Sequence, residues 1–229
     1  MIQHIACIMD GNRRWAKKNG VSLKEGVLQG LARVQTVVDV CLQHEIPYAS
    51  LYAFSIENLQ RSAIERACIF DVLIEHGKEY AERMAKQGVR VRLVGDRSMF
   101  PQDVCDICDT IEAITAAGTR LSLQLLFCYG ARQEIVAAAK KIAQEVKLGH
   151  VSLDSITESS FKKYTWMGDL PDPELVIRTG YANRLSNFLL YQVAYSELYF
   201  PQCLWPDMTT EQFEVAFEFF KSCKRNFGV

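Results

Sequence analysis

Two things are missing from this sequence: an excess of charge and a long apolar run. Its 26 lysines and arginines are balanced by 27 aspartates and glutamates, a formal net charge of −1. Broad nucleic-acid footprints carry a strong basic excess, so none is expected, and basic groups that matter must be gathered locally. No stretch reaches the roughly 18 continuous apolar residues that a bilayer span needs. The first strand-like run begins at His4, which leaves no room for a signal peptide. The expectation is a cytoplasmic protein that meets a membrane surface at most peripherally. Internal repeats, low-complexity tracts and Gly/Ser/Pro linkers are also absent, so residues 1–229 read as one domain with a substantial core.

The 8 cysteines are scattered through apolar runs, which suits reduced, buried thiols better than a secreted disulfide framework. Cys105 and Cys108 form a lone C-x-x-C inside a helix-like segment, with no second pair to complete a metal site. An Asp-Asp pair is lacking as well. Asp103, Asp106 and Asp109 fall at helical spacing and read as a solvated face.

What is present is alternation. Short β-rich runs, "HIACIM" (4–9), "YASLYAF" (48–54), "VRVRLVG" (89–95), "LSLQLLFCY" (121–129), "ELVIRT" (174–179) and "ELYF" (197–200), are nearly continuous in apolar character. That is the pattern of strands buried on both faces. Helical patterns occupy 25–44, 62–87, 101–117, 131–147 and 210–225. Strand and helix in alternation predict an α/β fold, a mostly parallel central sheet flanked by helices. Ligands of such sheets collect beyond the carboxyl ends of the strands, where Asp10, Ser55 and Arg178 fall. The first two long helices carry more hydrocarbon than one stripe needs: Val27, Leu28, Leu31, Val34 and Val37 in one, Phe70, Leu73, Ile74, Ala81 and Met84 in the other. Either both are sandwiched in the core, or they wall an apolar cavity able to hold an oily ligand.

The segment "HIACIMDGNRRWAKK" aims an acid and two arginines at one corner. Asn12 is a good N-cap residue, so a helix is expected to start at Arg13. Its unpaired amides and dipole favour an anion, Gly11 admits a ligand close to the backbone, and Arg13 and Arg14 suit phosphate. Asp10 belongs beside a phosphate only with a divalent cation between them, and Mg²⁺ typically joins one or two carboxylates to substrate phosphates. "FSIENLQR" adds Ser55, Glu57, Asn58 and Arg61 on one loop, and "RTGYANRLSN" adds Arg178, Arg184 and Ser186 on another. Three such loops at one sheet edge suggest two anionic groups to be held.

At these residues the chain resembles the cis-prenyltransferase family, the undecaprenyl diphosphate synthases. The match runs through "HIACIMDGNRRWA", "LYAFSIEN", "CYGAR", "LVIRTG" with "RLSNFLL", and "AYSELYF" with "LWPD". The resemblance implies a Mg²⁺-dependent homodimer with an apolar tunnel. It would condense an allylic diphosphate, usually farnesyl diphosphate, with successive isopentenyl diphosphates, as in supplying the undecaprenyl lipid carrier of cell-wall synthesis. Carried over by position, Asp10 is the essential carboxylate and a metal ligand, and Glu197 is a second metal-linked carboxylate. Gly11, Asn12, Arg13 and Arg14 cradle the allylic diphosphate beside Trp15. Ser55, Ile56, Glu57, Asn58 and Arg61 surround the reacting ends, with Asn58 in the proton step. Arg178, Arg184, Leu185 and Ser186 hold isopentenyl diphosphate.

Several positions depart from the family pattern. Leu23 and Val27 stand where an Arg and a His are usual, and Lys24 is the nearest potential substitute. Leu59 replaces a Trp, Ala182-Asn183 replace Glu-His, "CYGAR" stands for Asn-Tyr-Gly-Gly-Arg, and Arg225 in "RNFGV" is one residue out of phase with an Arg-x-Gly. Weaker binding or altered substrate preference is expected. The alternative is a non-catalytic subunit of a heteromeric enzyme, against which the retained Asp10 and Glu197 argue.

Overall fold

The computed structural model describes residues 2–168 and 170–225. Six strands form one sheet: β1 (His4–Ile8), β2 (Tyr48–Ser55), β3 (Val89–Val94), β4 (Leu121–Tyr129), β5 (Leu175–Arg178) and β6 (Glu197–Tyr199). Their order is β3-β4-β2-β1-β5-β6, and every pairing is parallel. All five residues of β1 are buried, as a central parallel strand covered on both faces requires.

Among the described residues seven α-helices accompany the sheet: α1 (Asn12–Asn19), α2 (Leu23–Gln43), α3 (Ala63–Lys86), α4 (Gln102–Thr115), α5 (Ala131–Lys147), α6 (Glu158–Lys162) and, after β6, α7 (Thr210–Ser222). Ser22 and Glu25 close a capping box that starts α2, and Ser62 caps α3. The pleat sorts β1 between two cores. Ile5 and Cys7 join Val34, Val37, Met84, Val104 and Phe213 of α2, α3, α4 and α7, whereas Ala6 and Ile8 join Tyr52, Tyr129, Met167 and Phe188.

After β1 the chain adds β2 beside it, passes to β3 at the edge, inserts β4 between β3 and β2, and then places β5 on the other side of β1. The strand order therefore reverses between β1 and β5, and the crevice at their carboxyl ends is the expected ligand position of an open parallel sheet. Asp10 lies just past β1, and Arg178 ends β5.

All eight cysteines are unbridged, and Cys105 and Cys108 lie on α4. Asp109 pairs with Arg97 at 2.6 Å and Asp106 accepts from Gln102 at 2.8 Å, so the acidic series is an exposed, internally paired helix face. Among the described residues no helix is long and apolar enough to cross a membrane.

Candidate active site

The turn after β1 is held through the Asp10 backbone by a side-chain hydroxyl and a backbone amide. Thr179, the residue after β5, accepts from the Asp10 amide at 3.1 Å and donates to the Asp10 carbonyl at 2.8 Å. The Trp205 amide donates to that same carbonyl at 3.1 Å. Gly11 then adopts φ 128°, a region that L-residues avoid, and its α-carbon faces Leu204 closely enough that a Cβ would lie 2.9 Å from that side chain. This changes the expected helix start. Gly11 is the N-cap and Asn12 the first residue of α1, because Asn12 turns its side chain onto Gly30 of α2 instead of back onto the helix. Among the described residues no side chain caps α1, whose opening residues Asn12 to Arg14 line the cavity, so its first amides are left without a side-chain acceptor. Asn12 Oδ1 is itself buried with no partner among the described residues.

The Asp10 carboxylate takes one guanidinium on each oxygen. Arg14 Nη2 donates to Oδ1 at 2.8 Å and Arg178 Nη2 to Oδ2 at 3.1 Å. Arg14 Nη1 also donates to the Gly180 carbonyl at 2.7 Å. A Cβ on Gly180 would lie 2.5 Å from Arg14 Nη2 and 2.8 Å from Asp10 Cγ, so glycine permits this corner to close. Arg178 is buried, which pulls its pKa down, while Asp10 holds it up. Its other nitrogen donates to Ser186 Oγ at 2.8 Å and to the Arg184 carbonyl, and Arg184 Nε reaches the same Ser186 oxygen at 3.2 Å.

On the loop after β2, Ser55 and Asn58 cap each other. Asn58 N donates to Ser55 Oγ at 3.2 Å, and Ser55 N donates to Asn58 Oδ1 at 3.3 Å. A backbone N–H can only donate, so the amide oxygen is committed to Ser55 and the Asn58 NH₂ is the end left for a ligand. Arg61 is lowered in pKa mainly by burial, with Glu65, Arg13 and Asp10 as charged neighbours. Arg13 reaches across to Glu65 of α3 at 2.8 Å.

These loops open onto a cavity of about 740 Å³. Its mouth is Asp10 to Arg14, Ser55, Glu57, Asn58, Arg61, Arg178, Arg184 and Ser186. Leu23 and Val27 line the cavity where α2 begins, and its interior is hydrocarbon: Leu31 and Val34 from α2, Ile69, Leu73 and Met84 from α3, with Ala53, Leu93, Leu125 and Phe127 from the sheet. Both readings of the long helices hold in different places, since Val37, Val38 and Cys41 of α2 are fully buried core.

Four expected site residues stand apart from the cavity wall. Trp15 points its indole N–H at Asp207, 2.7 Å away, and Leu185 packs on the second core. Ile56 begins the one-turn 3₁₀ helix Ile56–Gln60 without facing the cavity. Glu197 pairs with Leu175 at the start of β5, about 10 Å along the strands from Arg178. Besides burial, its charge helps to raise the pKa of the Cys223 thiol, and that distance keeps it from Asp10 within one chain. Among the described residues no three His, Cys, Asp or Glu side chains cluster for a metal; the carboxylates that line the cavity are Asp10, Glu57 and Glu65. Lys24 is engaged by Glu75 at 2.7 Å on the outside of α2 and α3. Arg225 pairs with Glu174 at 3.2 Å, and the rest of "RNFGV" lies outside the described residues. Thr179, Gly180, Glu65 and Asn187 were not expected. The polar residues directly after "VIR" were the only hint of the first two.

The family model for undecaprenyl diphosphate synthase, Prenyltransf, matches residues 8–228. The chain belongs to the undecaprenyl diphosphate synthase family of prenyltransferases. It is 39% identical over 226 residues to the farnesyl-diphosphate-specific ditrans,polycis-undecaprenyl-diphosphate synthase of Pseudomonas putida, covering 99% of this chain and 90% of that protein. It is 40% identical over 228 residues to the geranylgeranyl-diphosphate-specific tritrans,polycis enzyme of Methanopyrus kandleri, covering 99% and 84%. Lavandulyl diphosphate synthase of Lavandula x intermedia, solved with dimethylallyl diphosphate, superposes with a TM-score of 0.95 at 30% identity, covering 100% and 98%. The names of these relatives carry two different allylic diphosphates, and the solved neighbour holds a third.

Proposed function

We propose that this protein is a Mg²⁺-dependent cis-prenyltransferase that condenses farnesyl diphosphate with successive isopentenyl diphosphates to undecaprenyl diphosphate, a lipid carrier for cell-wall synthesis. It would work as a cytoplasmic homodimer that hands its product to a membrane. The observation that carries this reading is one continuous cavity with an arginine-lined mouth and a hydrocarbon interior. That shape fits a diphosphate head with a growing prenyl tail, and it does not fit a small polar substrate.

The chemistry follows from charge. Rupture of the allylic C–O bond leaves a delocalised cation and a diphosphate, and the new C–C bond to isopentenyl diphosphate is completed by loss of one proton. Arg13, Arg14 and the open amides of α1 stabilise the departing anion where its charge develops. Arg178 and Arg184, both braced by Ser186, hold the second diphosphate against it, and the resulting proximity supplies several kcal/mol of the barrier reduction. Asn58 presents its NH₂ to the ligand, which suits orienting a diphosphate oxygen to receive the proton rather than taking the proton itself. Asp10 fits a Mg²⁺ ion as one carboxylate partner, and the bound ion would neutralise diphosphate oxygens.

The apolar Leu23 and Val27 at the mouth favour a second reading, a subunit that binds weakly or serves a catalytic partner. Purified protein given farnesyl diphosphate and labelled isopentenyl diphosphate decides between them. Chain-elongated product that requires Mg²⁺ and is lost in Asp10→Ala is expected, and no incorporation by the protein alone overturns the proposal.

A further inference from the structure

We propose that Asn187 is a positioning residue for prenyl transfer: one carboxamide locks the Glu57–Asn58 turn and the Arg184–Ser186 loop to the start of α5, fixing the spacing of the two substrate-holding loops. The proposal rests on the prenyl-transfer reading of the same site.

Helix α5 begins at Ala131, and its N-cap residue, Gly130, provides no side-chain cap. Asn187 provides the cap from another part of the chain. Its backbone carbonyl accepts from the Ala131 amide at 2.8 Å, and its Oδ1 accepts from the Arg132 amide at 2.8 Å. The Oδ1 contact orients the amide, because its partner is a donor. Nδ2 then donates to Glu57 Oε1 at 2.8 Å and to Gln133 Oε1 at 3.1 Å. The carboxamide thus joins three segments far apart in sequence. Gly130 makes this possible, since a Cβ there would lie 2.7 Å from Asn187 Nδ2.

The neighbouring backbone agrees. Ser186 and Asn187 both adopt left-handed conformations, φ 51° and 64°, which L-residues hold only where the surroundings over-determine them. Ser186 is the hydroxyl shared by Arg178 and Arg184, and its carbonyl accepts from the Tyr52 hydroxyl of β2 at 3.4 Å. The isopentenyl side is thus tied to β2 and to the turn that follows it at two points, Tyr52–Ser186 and Glu57–Asn187. Only the second reaches the turn that carries Asn58.

Polarity reversal tests the link. Asn187→Asp keeps the acceptor that caps α5 and sets a second carboxylate against Glu57. Glu57→Gln keeps an acceptor for Asn187. The double variant restores a donor–acceptor pair with the roles exchanged. In steady-state assays with farnesyl and isopentenyl diphosphates, N187D should lose kcat by about tenfold or more while its KM for isopentenyl diphosphate stays within about threefold, since the arginines remain. Its melting temperature should stay close to that of the wild type. N187D/E57Q should recover at least about fivefold of the lost kcat, as a restored hydrogen bond to one charged group allows. Wild-type kinetics in N187D, or a double variant no better than N187D, overturns the proposal while an active wild type leaves the function standing. An inactive wild type overturns the reading of function and this proposal with it.

Discussion

Replacing Leu23 with arginine should tighten the allylic diphosphate site by roughly tenfold. Leu23 is the first residue of α2 and Val27 lies one turn on; both line the cavity beside Arg13 and Arg14. They stand that close because α2 meets α1 through glycines. A Cβ on Gly26 would lie 2.7 Å from the Asn12 carbonyl, and one on Gly30 would lie 2.6 Å from Asn12 Oδ1. An arginine at 23 therefore enters the mouth without moving either helix. A hydrogen bond to a charged group contributes about 1.5–3 kcal/mol, and the first turn of α2 is partly exposed, so the lower end applies. About 1.4 kcal/mol is a factor of ten in Kd.

Lys24 supplies the control. Its ammonium sits 2.7 Å from Glu75 and does not line the cavity. Lys24→Ala should leave diphosphate affinity unchanged. Isothermal titration of a non-reacting thio analogue of farnesyl diphosphate, at two salt concentrations, reads both variants. Leu23→Arg binding no tighter than wild type, or Lys24→Ala binding measurably weaker, would refute the assignment of the mouth to an allylic diphosphate.

Asn58→Asp keeps an acceptor for the Ser55 amide and removes the NH₂ donor, so turnover should fall about 10- to 100-fold with little change in KM; an N58D enzyme faster than the wild type would show that a base is wanted at this position after all. Gly77 lines the cavity on α3, and a Cβ there would lie 2.9 Å from Ile111 Cδ1, so Gly77→Leu should narrow the cavity and shorten the main product; an unchanged chain length on reversed-phase chromatography would place the growing tail elsewhere. His4 is fully buried between Pro171 and Ser50, and burial pushes its pKa down to about 4 from an ordinary 6.5. The unfolded chain therefore binds the extra proton first, and stability is complete above pH 6.5 and lost as pH falls toward 4, by about 3 kcal/mol at most. Urea midpoints of His4→Gln should show a flatter pH slope across that window, and equal slopes would clear His4 of the effect.

The fold was legible because its signals are local. Apolar runs of strand length gave all six strands to within a residue or two, and the helical pattern over 131–147 matches α5 to the residue. The site was legible where a side chain follows directly on a strand end, as for Asp10, Ser55 and Arg178. It failed where tertiary contacts redirect a side chain. Trp15 shares α1 with Arg14 yet turns to Asp207, and Asn12 gave up its expected cap to pack on Gly30. Leu123 of β4 is fully buried core, whereas Leu125, two residues on, lines the cavity, and apolar character alone does not separate them. Glu197 shows the register problem in its simplest form. "ELYF" reads as a strand either way, but which end of a three-residue strand lies beside Asp10 is fixed only by pairing with β5.

The same limit explains why neither core nor cavity could be chosen for α2 and α3 from periodicity. A 3.6-residue pattern reports which face is away from water and says nothing about whether the space it faces is filled. What separates the two outcomes is the size of the residues opposite. Val37 and Val38 lie over fully buried partners, and there α2 is core. Nearer its start the same helix lines the cavity of about 740 Å³ together with Ala53 and Gly77, below a mouth that holds Arg13 and Arg14. A hydrocarbon hollow of that size loses packing contacts, which costs stability in proportion to its volume. A prenyl chain restores those contacts on entering, so the stability surrendered in the empty protein becomes affinity for the tail, and the arginines need only hold the head.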